Sequence, residues 1–215
     1  MDAKEVIARR VARELKEGYV VNLGIGLPTL VPRFLPAGVH ITLQSENGFL
    51  GLGPLAGEPQ PGVVNAGGQP CGLQPGAAMF DSAMSFALIR GGHVDVTVLG
   101  GLQVDADGNL ANWMVPCKMI PGMGGAMDLV TGAKRVVVAM EHCTRDGEPR
   151  LLERCTLPLT ARGRVAMVVT ELAVFAVVAG EFVLREIAPG VSLETVRART
   201  EADFQVVDGL PVMAL

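Results

Sequence analysis

The sequence predicts an α/β fold: a single domain over residues 1–215, with a mixed, mostly parallel sheet flanked by helices. Short runs of Val, Ile and Leu alternate with segments whose apolar residues recur at helical spacing, which is typical of strand–helix–strand units. Near the carboxyl end, two apolar runs are joined by Ala179-Gly180-Glu181, which predicts a hairpin and therefore an antiparallel part of the sheet. A chain of 215 residues can bury one sizeable core, and neither an internal repeat nor a linker divides it.

The predicted elements follow one another along the chain. The first helix covers Asp2–Glu17 and stops at Gly18, because its apolar positions recur every four residues and glycine commonly terminates helices. Further helices are predicted at Asp81–Arg90 and Ser192–Arg199, and a turn at Asp105–Asn109. Strands are predicted at Tyr19–Leu23, Val39–Leu43, His93–Leu99, Arg135–Met140, Val165–Thr170, Phe175–Val178, Phe182–Glu186 and Phe204–Val207.

A long segment rich in glycine and proline, Gly48–Gly76, has no extended periodic pattern. Loops of this length inside compact domains are usually functional covers or disordered segments. Glu58 is the only charged residue of this segment, which favours ordered packing. We therefore expect Gly48–Gly76 to cover a site and to keep water away from it.

The charge and the apolar content exclude several classes of function. The net charge of −4 and the pI of about 5.4 argue against nucleic-acid binding, which requires clusters of Lys and Arg. The most apolar window, Leu172–Gly180, is much shorter than the roughly 20 residues of a membrane-spanning helix, so no membrane association is expected. Charged residues make up only 19% of the chain, which favours a surface hidden in an oligomer.

The expected location is cytoplasmic. Charged residues follow Met1 directly, which argues against a secretory signal. The four cysteines form no Cys-x-x-Cys pair and are typical of reduced thiols: Cys71, Cys117, Cys143 and Cys155.

Glu46 is the main candidate for a catalytic residue. It lies in Gln44-Ser45-Glu46-Asn47-Gly48, directly after a predicted strand, and so on a tight turn at the carboxyl end of that strand, where α/β sheets bind ligands. A carboxylate nucleophile also needs partial desolvation and donors aimed at the developing oxyanion. The segment Gly48–Gly76 and the glycines of Pro121–Gly125 are candidates for these two tasks. The alternative is that Glu46 is a solvated turn residue before an Asn-Gly pair.

A first glycine motif, Gly24-Ile25-Gly26-Leu27-Pro28, follows the predicted strand Tyr19–Leu23. It is not a dinucleotide fingerprint, because the third glycine of that motif would fall at Thr29. A glycine loop before a helix can bind an anion or a carbonyl oxygen. The alternative is a turn that packs closely between a strand and a helix.

No metal site is expected. Glu141, His142 and Cys143 are adjacent on a strand, where neighbouring side chains point to opposite faces. His40 and His93 are isolated, so the ligand spacing of zinc sites is missing.

Several motifs together resemble the β subunit of the family I (3-oxoacid type) CoA-transferases, and among these the bacterial acetate/butyrate–acetoacetate type. The resemblance extends from about Lys4 to Glu201. The stretches that carry it are Val21–Pro28, Ser45–Gly48, Asn65–Gly68, Pro75–Ala77, Phe80–Ser82, Arg90–Asp95, Gly108–Trp113 and Gly122–Leu129.

This resemblance implies a CoA-transferase-like fold and a ping-pong reaction. Glu46 matches the nucleophile that forms an acyl-glutamyl anhydride and then a glutamyl-CoA thioester. A backbone N–H of Gly124 or Gly125 matches an oxyanion donor, while the other donor comes from an α subunit in the family. The residues expected at the substrate and CoA are Asn22, Gly24, Gly26, Asn47 and Gly48.

The resemblance also implies the partners of the chain. It predicts an α2β2 assembly with a CoA-transferase α subunit, which acts on acyl-CoA and short-chain carboxylates. CoA is then a substrate, and no separate cofactor is expected.

Two departures from the family pattern bear on specificity. Cys117 stands where the family commonly has Gly before the lysine that matches Lys118. Gly68 stands where many succinyl-CoA-type relatives carry Lys, which favours the acetate type. The alternatives are a succinyl-CoA:3-oxoacid CoA-transferase subunit, a thioesterase-like activity at Glu46, and a non-catalytic CoA-binding module.

Overall fold

A computed structural model describes residues 1–116, 122 and 124–215. The α-helices in these residues are α1 (Ala3–Ala12), α2 (Ser82–Arg90), α3 (Ala126–Gly132) and α4 (Leu193–Arg199). A 3₁₀ helix covers Leu27–Phe34. The strands are β1 (Val20–Leu23), β2 (Thr42–Ser45), β3 (Phe49–Gly53), β4 (Gly72–Met79), β5 (Val96–Leu99), β6 (Gln103–Asp105), β7 (Leu110–Ala111), β8 (Arg135–Ala139), β9 (Leu151–Leu152), β10 (Val165–Val169), β11 (Ala173–Val178), β12 (Glu181–Ile187) and β13 (Phe204–Val206).

Ten strands of the described chain form one sheet, in the order β13-β12-β11-β10-β8-β5-β1-β2-β3-β4. The central strands β10, β8, β5, β1 and β2 are parallel to one another. Antiparallel strands extend the sheet on both sides, and β13 pairs in parallel with β12 at one edge. Strands β6, β7 and β9 form a separate small sheet. The predicted α/β fold with a mixed, mostly parallel sheet is confirmed.

Both faces of the large sheet are buried under helices. On one face, Ile7 and Val11 of α1 join a buried cluster with the 3₁₀ helix and with Val137 of β8. On the other face, Ile89 of α2 and Leu129 of α3 join a second buried cluster. Because strands covered on both faces are apolar throughout, they appear in the sequence as continuous Val-rich runs.

The first helix is shorter than predicted. Asp2 caps it by accepting a hydrogen bond from the Lys4 backbone N–H at 2.9 Å, but regular helix ends at Ala12 rather than at Glu17. The chain then continues in tighter turns, in which the Leu15 N–H donates to the Ala12 carbonyl. Leu15 stays buried, so its place in the apolar stripe remains correct although its backbone is not α-helical.

The prediction for Gly48–Gly76 is wrong in two places, because this segment contains β3 and the first half of β4. Phe49 and Leu52 of β3 pack against Val63 in a small cluster of their own. Gly51 has a φ of +91° where the β3–β4 register shifts, and this irregularity hides the alternation that normally marks a strand.

Other elements also differ from the prediction: β5 begins at Val96 instead of His93, and β11 begins at Ala173 instead of Phe175. Strand β2 begins at Thr42 instead of Val39, because the Val39 N–H closes a turn onto the Pro36 carbonyl. Helix α3 was not predicted, since it has only seven residues and its N-cap residue, Gly125, offers no side chain to cap it.

None of the helices found in the described ranges is long and apolar enough to cross a membrane. Of the cysteines, Cys71, Cys143 and Cys155 are free thiols. Cys117 and Lys118 lie outside the described residues.

Candidate active site

Glu46 lies on the turn between β2 and β3, at the carboxyl end of a central parallel strand, as the sequence predicts. The turn is closed by the Gly48 N–H, which donates to the Ser45 carbonyl at 3.0 Å. Gly48 has a φ of +110°, and an added Cβ there would lie 2.1 Å from the Phe80 carbonyl oxygen. Only glycine fits this position, so the sequence Asn-Gly after Glu46 fixes the backbone of the turn that carries Glu46.

Asn22 orients the Glu46 carboxylate from the neighbouring strand β1. Its side chain is fully buried, and its Nδ2 donates to Glu46 Oε2 at 3.2 Å and to Gln44 Oε1 at 2.7 Å. Asn22 and Gln44 are register partners in the β1–β2 pair, so the parallel sheet sets this contact. Among the described residues this is the only side-chain hydrogen bond to Glu46, which leaves Oε1 available for another partner.

The cluster continues behind Gln44 to helix α2. Gln44 Nε2 donates to Ser85 Oγ at 2.9 Å, and Ser85 Oγ donates to the Ser45 carbonyl at 3.2 Å. Gln44 and Ser85 are both buried and hold the base of the catalytic turn. Sequence reasoning did not assign a role to them. The available signal was a polar Gln directly after the apolar run that leads to Glu46.

Three buried polar atoms at or beside this edge have no partner in the described part of the chain. They are Asn22 Oδ1, Oγ1 of its register partner Thr97 on β5, and Trp113 Nε1. Buried polar groups are nearly always paired in proteins, and unpaired ones often mark a site for a ligand or for water. These atoms therefore add to the evidence that this edge binds a ligand.

Gly125 packs directly against the Glu46 side chain. A Cβ added at Gly125 would lie 3.4 Å from Glu46 Cγ and 3.5 Å from Phe86 Cζ. Gly124, beside it, is exposed and has a φ of +52°. The structure thus brings the second glycine cluster to Glu46, as the sequence predicts. The N–H that faces an oxyanion stays a prediction, and Pro121 and Met123 lie outside the described residues.

The remaining predicted site residues have mixed surroundings. Gly24 borders the cavity, but its N–H is used in a 2.8 Å hydrogen bond to the Val98 carbonyl. Gly26 is exposed with a φ of +85° and precedes the 3₁₀ helix. Asn47 braces the turn by accepting from Ser45 Oγ at 2.6 Å and donating to the Val64 carbonyl at 2.8 Å. The structure gives Asn47 and Gly48 a supporting role in the turn, and their contact with CoA stays a prediction.

A cavity of about 500 Å³ opens beside Glu46. Its walls come from the loop after β1, the carboxyl end of β5, the residues after β7 and the start of α3. The described lining residues are Gly24, Ile25, Glu46, Leu99, Gly100, Gly101, Leu102, Asn112, Trp113, Gly122, Gly124, Gly125, Ala126 and Leu129.

The expectation that Gly48–Gly76 covers this site is wrong in one respect, because this segment does not form the walls of the described cavity. None of the residues 47–98 lines the described cavity. The tip of the segment, residues 54–62, is exposed. The stretch after β5 and the pair Asn112-Trp113 take that place instead. Sequence reasoning did not assign these residues to the site, because no local pattern shows that the ends of β5 and β7 meet beside Glu46.

Comparisons with known proteins agree with this geometry. The sequence matches the family model described as coenzyme A transferase over residues 4–199. It is 68% identical over 210 residues to the β subunit of the acetate CoA-transferase of Escherichia coli (strain K12), covering 98% of this chain and 97% of that one. It is 53% identical over 205 residues to one subunit of the succinyl-CoA:3-ketoacid coenzyme A transferase of Helicobacter pylori, covering 94% of this chain and 99% of that one.

A solved structure shows the same fold at low sequence identity. The acyl-CoA transferase of Escherichia coli O157:H7 superposes with a TM-score of 0.81 at 22% identity, over 99% of this chain and 43% of that one. This chain therefore spans less than half of that solved chain, and the likeness concerns the fold. With a family match over nearly its whole length and close relatives that it covers from end to end, the chain belongs to the coenzyme A transferase family.

Proposed function

We propose that this chain is the β subunit of a CoA-transferase that moves CoA between an acyl-CoA and a short-chain carboxylate. The observation that carries the proposal is the placement of Glu46 at the border of the cavity. Its carboxylate is oriented by Asn22, it packs against Gly125, and no other charged side chain of the described residues lines the cavity. A positioned carboxylate whose described neighbours in the cavity carry no charge supports the role of a nucleophile.

The reaction follows a ping-pong sequence at Glu46. A carboxylate oxygen of Glu46 attacks the acyl carbonyl carbon and the C–S bond breaks. CoA leaves as a thiolate, and an acyl-glutamyl anhydride remains on the chain. The thiolate then attacks the Glu46 carbonyl carbon and expels the first carboxylate, which leaves a glutamyl-CoA thioester. A second carboxylate reverses these steps and departs as the new acyl-CoA. Charge and atoms balance throughout, because each carboxylate or thiolate that attacks releases another.

Each neighbour of Glu46 has a task in this sequence. The Asn22 amide holds Oε2, so the hydrogen-bond geometry leaves Oε1 as the attacking oxygen. The backbone at Gly124 and Gly125 is the nearest source of an N–H for the oxyanion, and glycine lets that backbone approach closely. Both intermediates react with water, so a closed site is required. In the proposed α2β2 assembly, the α subunit supplies the second oxyanion donor and closes the open side of the cavity.

The described walls favour an acyl group without a second charge. Leu99, Leu102 and Leu129 are apolar, and a dicarboxylic acyl group would bring its free carboxylate against such residues. Burying an unpaired carboxylate is strongly unfavourable. We therefore favour acetyl, butyryl or acetoacetyl groups over succinyl groups, in line with the 68% identical relative, which is named as part of an acetate CoA-transferase.

The proposal is tested by the mass of the chain, in complex with its α subunit, after incubation with acetoacetyl-CoA and no acceptor acid. We expect a CoA-sized adduct on the peptide that contains Glu46, and we expect acetate to remove it. The Glu46→Gln variant is the matched control and should show no adduct. Bound but unreacted acyl-CoA would point to a binding module, and steady release of free CoA and acid to a thioesterase. Faster discharge of the adduct by succinate than by acetate would point to the succinyl-CoA type.

A further inference from the structure

One wall of the cavity is held in place by several hydrogen bonds. It is formed by the residues that follow β5. Asn112 Nδ2 donates to the Gly100 carbonyl at 3.1 Å, and Asn112 Oδ1 accepts from Thr160 Oγ1 at 2.6 Å. The Leu102 N–H donates to the Ala111 carbonyl at 2.9 Å. Because these hydrogen bonds hold the wall, its shape changes little when a ligand binds, and that shape can discriminate between ligands.

Two adjacent glycines in this wall face opposite ways. A Cβ added at Gly100 would have no described atom within 4 Å, and its φ lies outside the left-handed region. A Cβ added at Gly101 would lie 2.8 Å from Met140 Sδ and 2.8 Å from Val138 Cγ1, in the protein core. A side chain added at Gly100 would therefore extend into the open cavity, whereas a side chain added at Gly101 would extend into the protein interior.

We propose that the wall at Gly100 holds the acyl group, and that the missing side chain there admits acyl chains longer than acetyl. This inference rests on the proposed function, because it assigns the acyl end of the cavity in which Glu46 reacts. It makes Gly100 a residue that determines specificity rather than one that takes part in the chemistry.

The chemistry of the wall separates the acyl group from the other part of the substrate. The pantetheine arm of CoA carries two amides that need hydrogen-bond partners and must lead out to solvent. Beside Gly100 the cavity is lined by Leu99, Leu102 and Trp113. The Asn112 amide is already engaged in holding the wall, and the unpaired Trp113 Nε1 is a single donor, which cannot pair both amides. A short hydrocarbon chain fits such a surface, since it needs only apolar contact.

The test compares three variants in the complex with the α subunit: Gly100→Ala, Gly100→Val and Gly101→Ala. The specificity constant kcat/KM is measured for acetyl-CoA and butyryl-CoA as donors with propionate as acceptor. It is then measured for acetate and butyrate as acceptors with propionyl-CoA as donor. Because one methylene in an apolar pocket changes discrimination by roughly 10- to 200-fold, we expect the butyryl-to-acetyl ratio to fall about 10-fold in Gly100→Ala and about 100-fold in Gly100→Val.

Gly101→Ala is the matched control, since it adds the same methyl group one residue away in the opposite direction. Its melting temperature should fall because the core around Met140 must adjust, while its butyryl-to-acetyl ratio stays within about twofold of wild type. Gly100→Ala carries the test if Gly100→Val does not assemble.

An internal check comes from the thermodynamics of a ping-pong reaction. The equilibrium between butyryl-CoA plus acetate and acetyl-CoA plus butyrate does not depend on the enzyme. The ratio measured with the donors and the ratio measured with the acceptors must therefore shift by the same factor in each variant. Unequal shifts would contradict the ping-pong scheme itself, whereas equal shifts of the expected size support the assignment of the wall.

Two other outcomes would overturn the inference while leaving the proposed function intact. One is an unchanged ratio in both Gly100 variants with normal transfer. The other is an equal loss for acetyl and butyryl substrates, which would mean that the wall contacts the part of CoA common to both. Absence of transfer by the wild-type complex would remove the proposed function, and this inference with it.

Discussion

Two buried polar clusters lie in different parts of the sheet, and they differ in how completely they are paired. The first joins Asn22, Gln44 and Ser85 behind Glu46. The second is centred on His142, whose ring nitrogens lie 2.9 Å from Thr170 Oγ1 and 3.0 Å from Thr200 Oγ1. Both clusters tie neighbouring elements together through side chains that are shielded from solvent.

The difference between them lies in what remains unpaired. Both ring nitrogens of His142 have a hydroxyl partner, and no described cavity opens beside the ring. In the first cluster Asn22 Oδ1 has no described partner, and the Glu46 carboxylate borders the cavity. A buried polar cluster that is fully paired stabilises the fold, whereas one that is left incomplete beside a cavity is available to a substrate.

The sharpest way to test this difference is to remove the nucleophile. Glu46→Gln keeps the shape and the hydrogen bond from Asn22 but cannot form the anhydride, so we expect CoA transfer to fall by about 10⁴-fold or more. The melting temperature of the complex should change little, because Glu46 lies on a partly exposed turn. Steady-state transfer assays and thermal unfolding measure the two quantities. Transfer within tenfold of wild type would show that Glu46 is not the nucleophile.

The His142 cluster should affect stability rather than transfer, and it should do so through pH. Burial, with a smaller contribution from the charge of Arg199, lowers the pKa of His142 from 6.5 to about 4. As the pH falls below 6.5, the unfolded chain takes up a proton that the folded chain does not accept until about pH 4. The free energy of unfolding therefore falls as the pH drops from 6.5 towards 4, by about 2 kcal/mol between pH 6.5 and pH 5. Below pH 4 this contribution no longer changes.

The control for this pH dependence is His142→Gln, which has no titrating group at the same place. The free energy of unfolding of the complex, measured with urea at several pH values, should fall more steeply for wild type than for the variant. Taking the difference between the two removes the contribution of all other groups, including those of the α subunit. Parallel pH profiles would contradict the role of His142, and a loss of transfer at pH 7 without a loss of stability would place it in catalysis.

The same comparison shows what could be predicted from sequence. Glu46 was predicted because a charged residue on a turn after an apolar run stands out, and Asn22 was predicted only because its motif resembles a known family. The parallel centre of the sheet and the carboxyl-terminal hairpin followed from Val-rich runs that the structure confirms at β5, β8, β10, β11 and β12. These features depend on local patterns of a few residues.

The features that were missed depend on contacts between distant residues. Ser85 supports Glu46 only because α2 packs behind β2, and no local pattern shows this. Strand β3 was hidden by the irregular backbone at Gly51. The wall at Gly100 was not predicted, because its importance depends on the Cβ direction of a glycine, which a sequence does not show. Helix α3 lacks the capping signal that marks the start of the other helices.

Asn22→Ala tests the incomplete cluster without removing the nucleophile. The variant loses the hydrogen bond to Glu46 Oε2, and bonds to a charged group contribute about 1.5–3 kcal/mol, so kcat/KM should fall by roughly 10- to 100-fold. The loss of stability should be smaller than expected for a fully paired buried amide, because the unpaired Oδ1 is removed as well. Asn22→Asp, which places a second carboxylate beside Glu46, should be worse than Asn22→Ala. If the Asn22→Ala complex has wild-type kcat/KM and lower stability, this cluster only stabilises the fold, as the His142 cluster does.

Asn47→Ala gives the smallest expected effect and decides between two roles for the turn. In the structure the Asn47 side chain joins Ser45 to Val64, and losing these hydrogen bonds at an exposed site should cost about 1 kcal/mol of unfolding free energy. If this bracing is its whole role, KM for acyl-CoA stays within about threefold of wild type and kcat falls slightly as the turn loosens. If Asn47 contacts CoA, as the sequence resemblance implies, KM rises tenfold or more while the melting temperature changes little. Ser45→Ala is the control, because it removes the hydrogen bond between Ser45 and Asn47 but keeps the Asn47 amide, with its bond to Val64, available to CoA. Equal effects of the two variants on KM would assign Asn47 to the fold of the turn, and a rise confined to Asn47→Ala would assign it to the substrate.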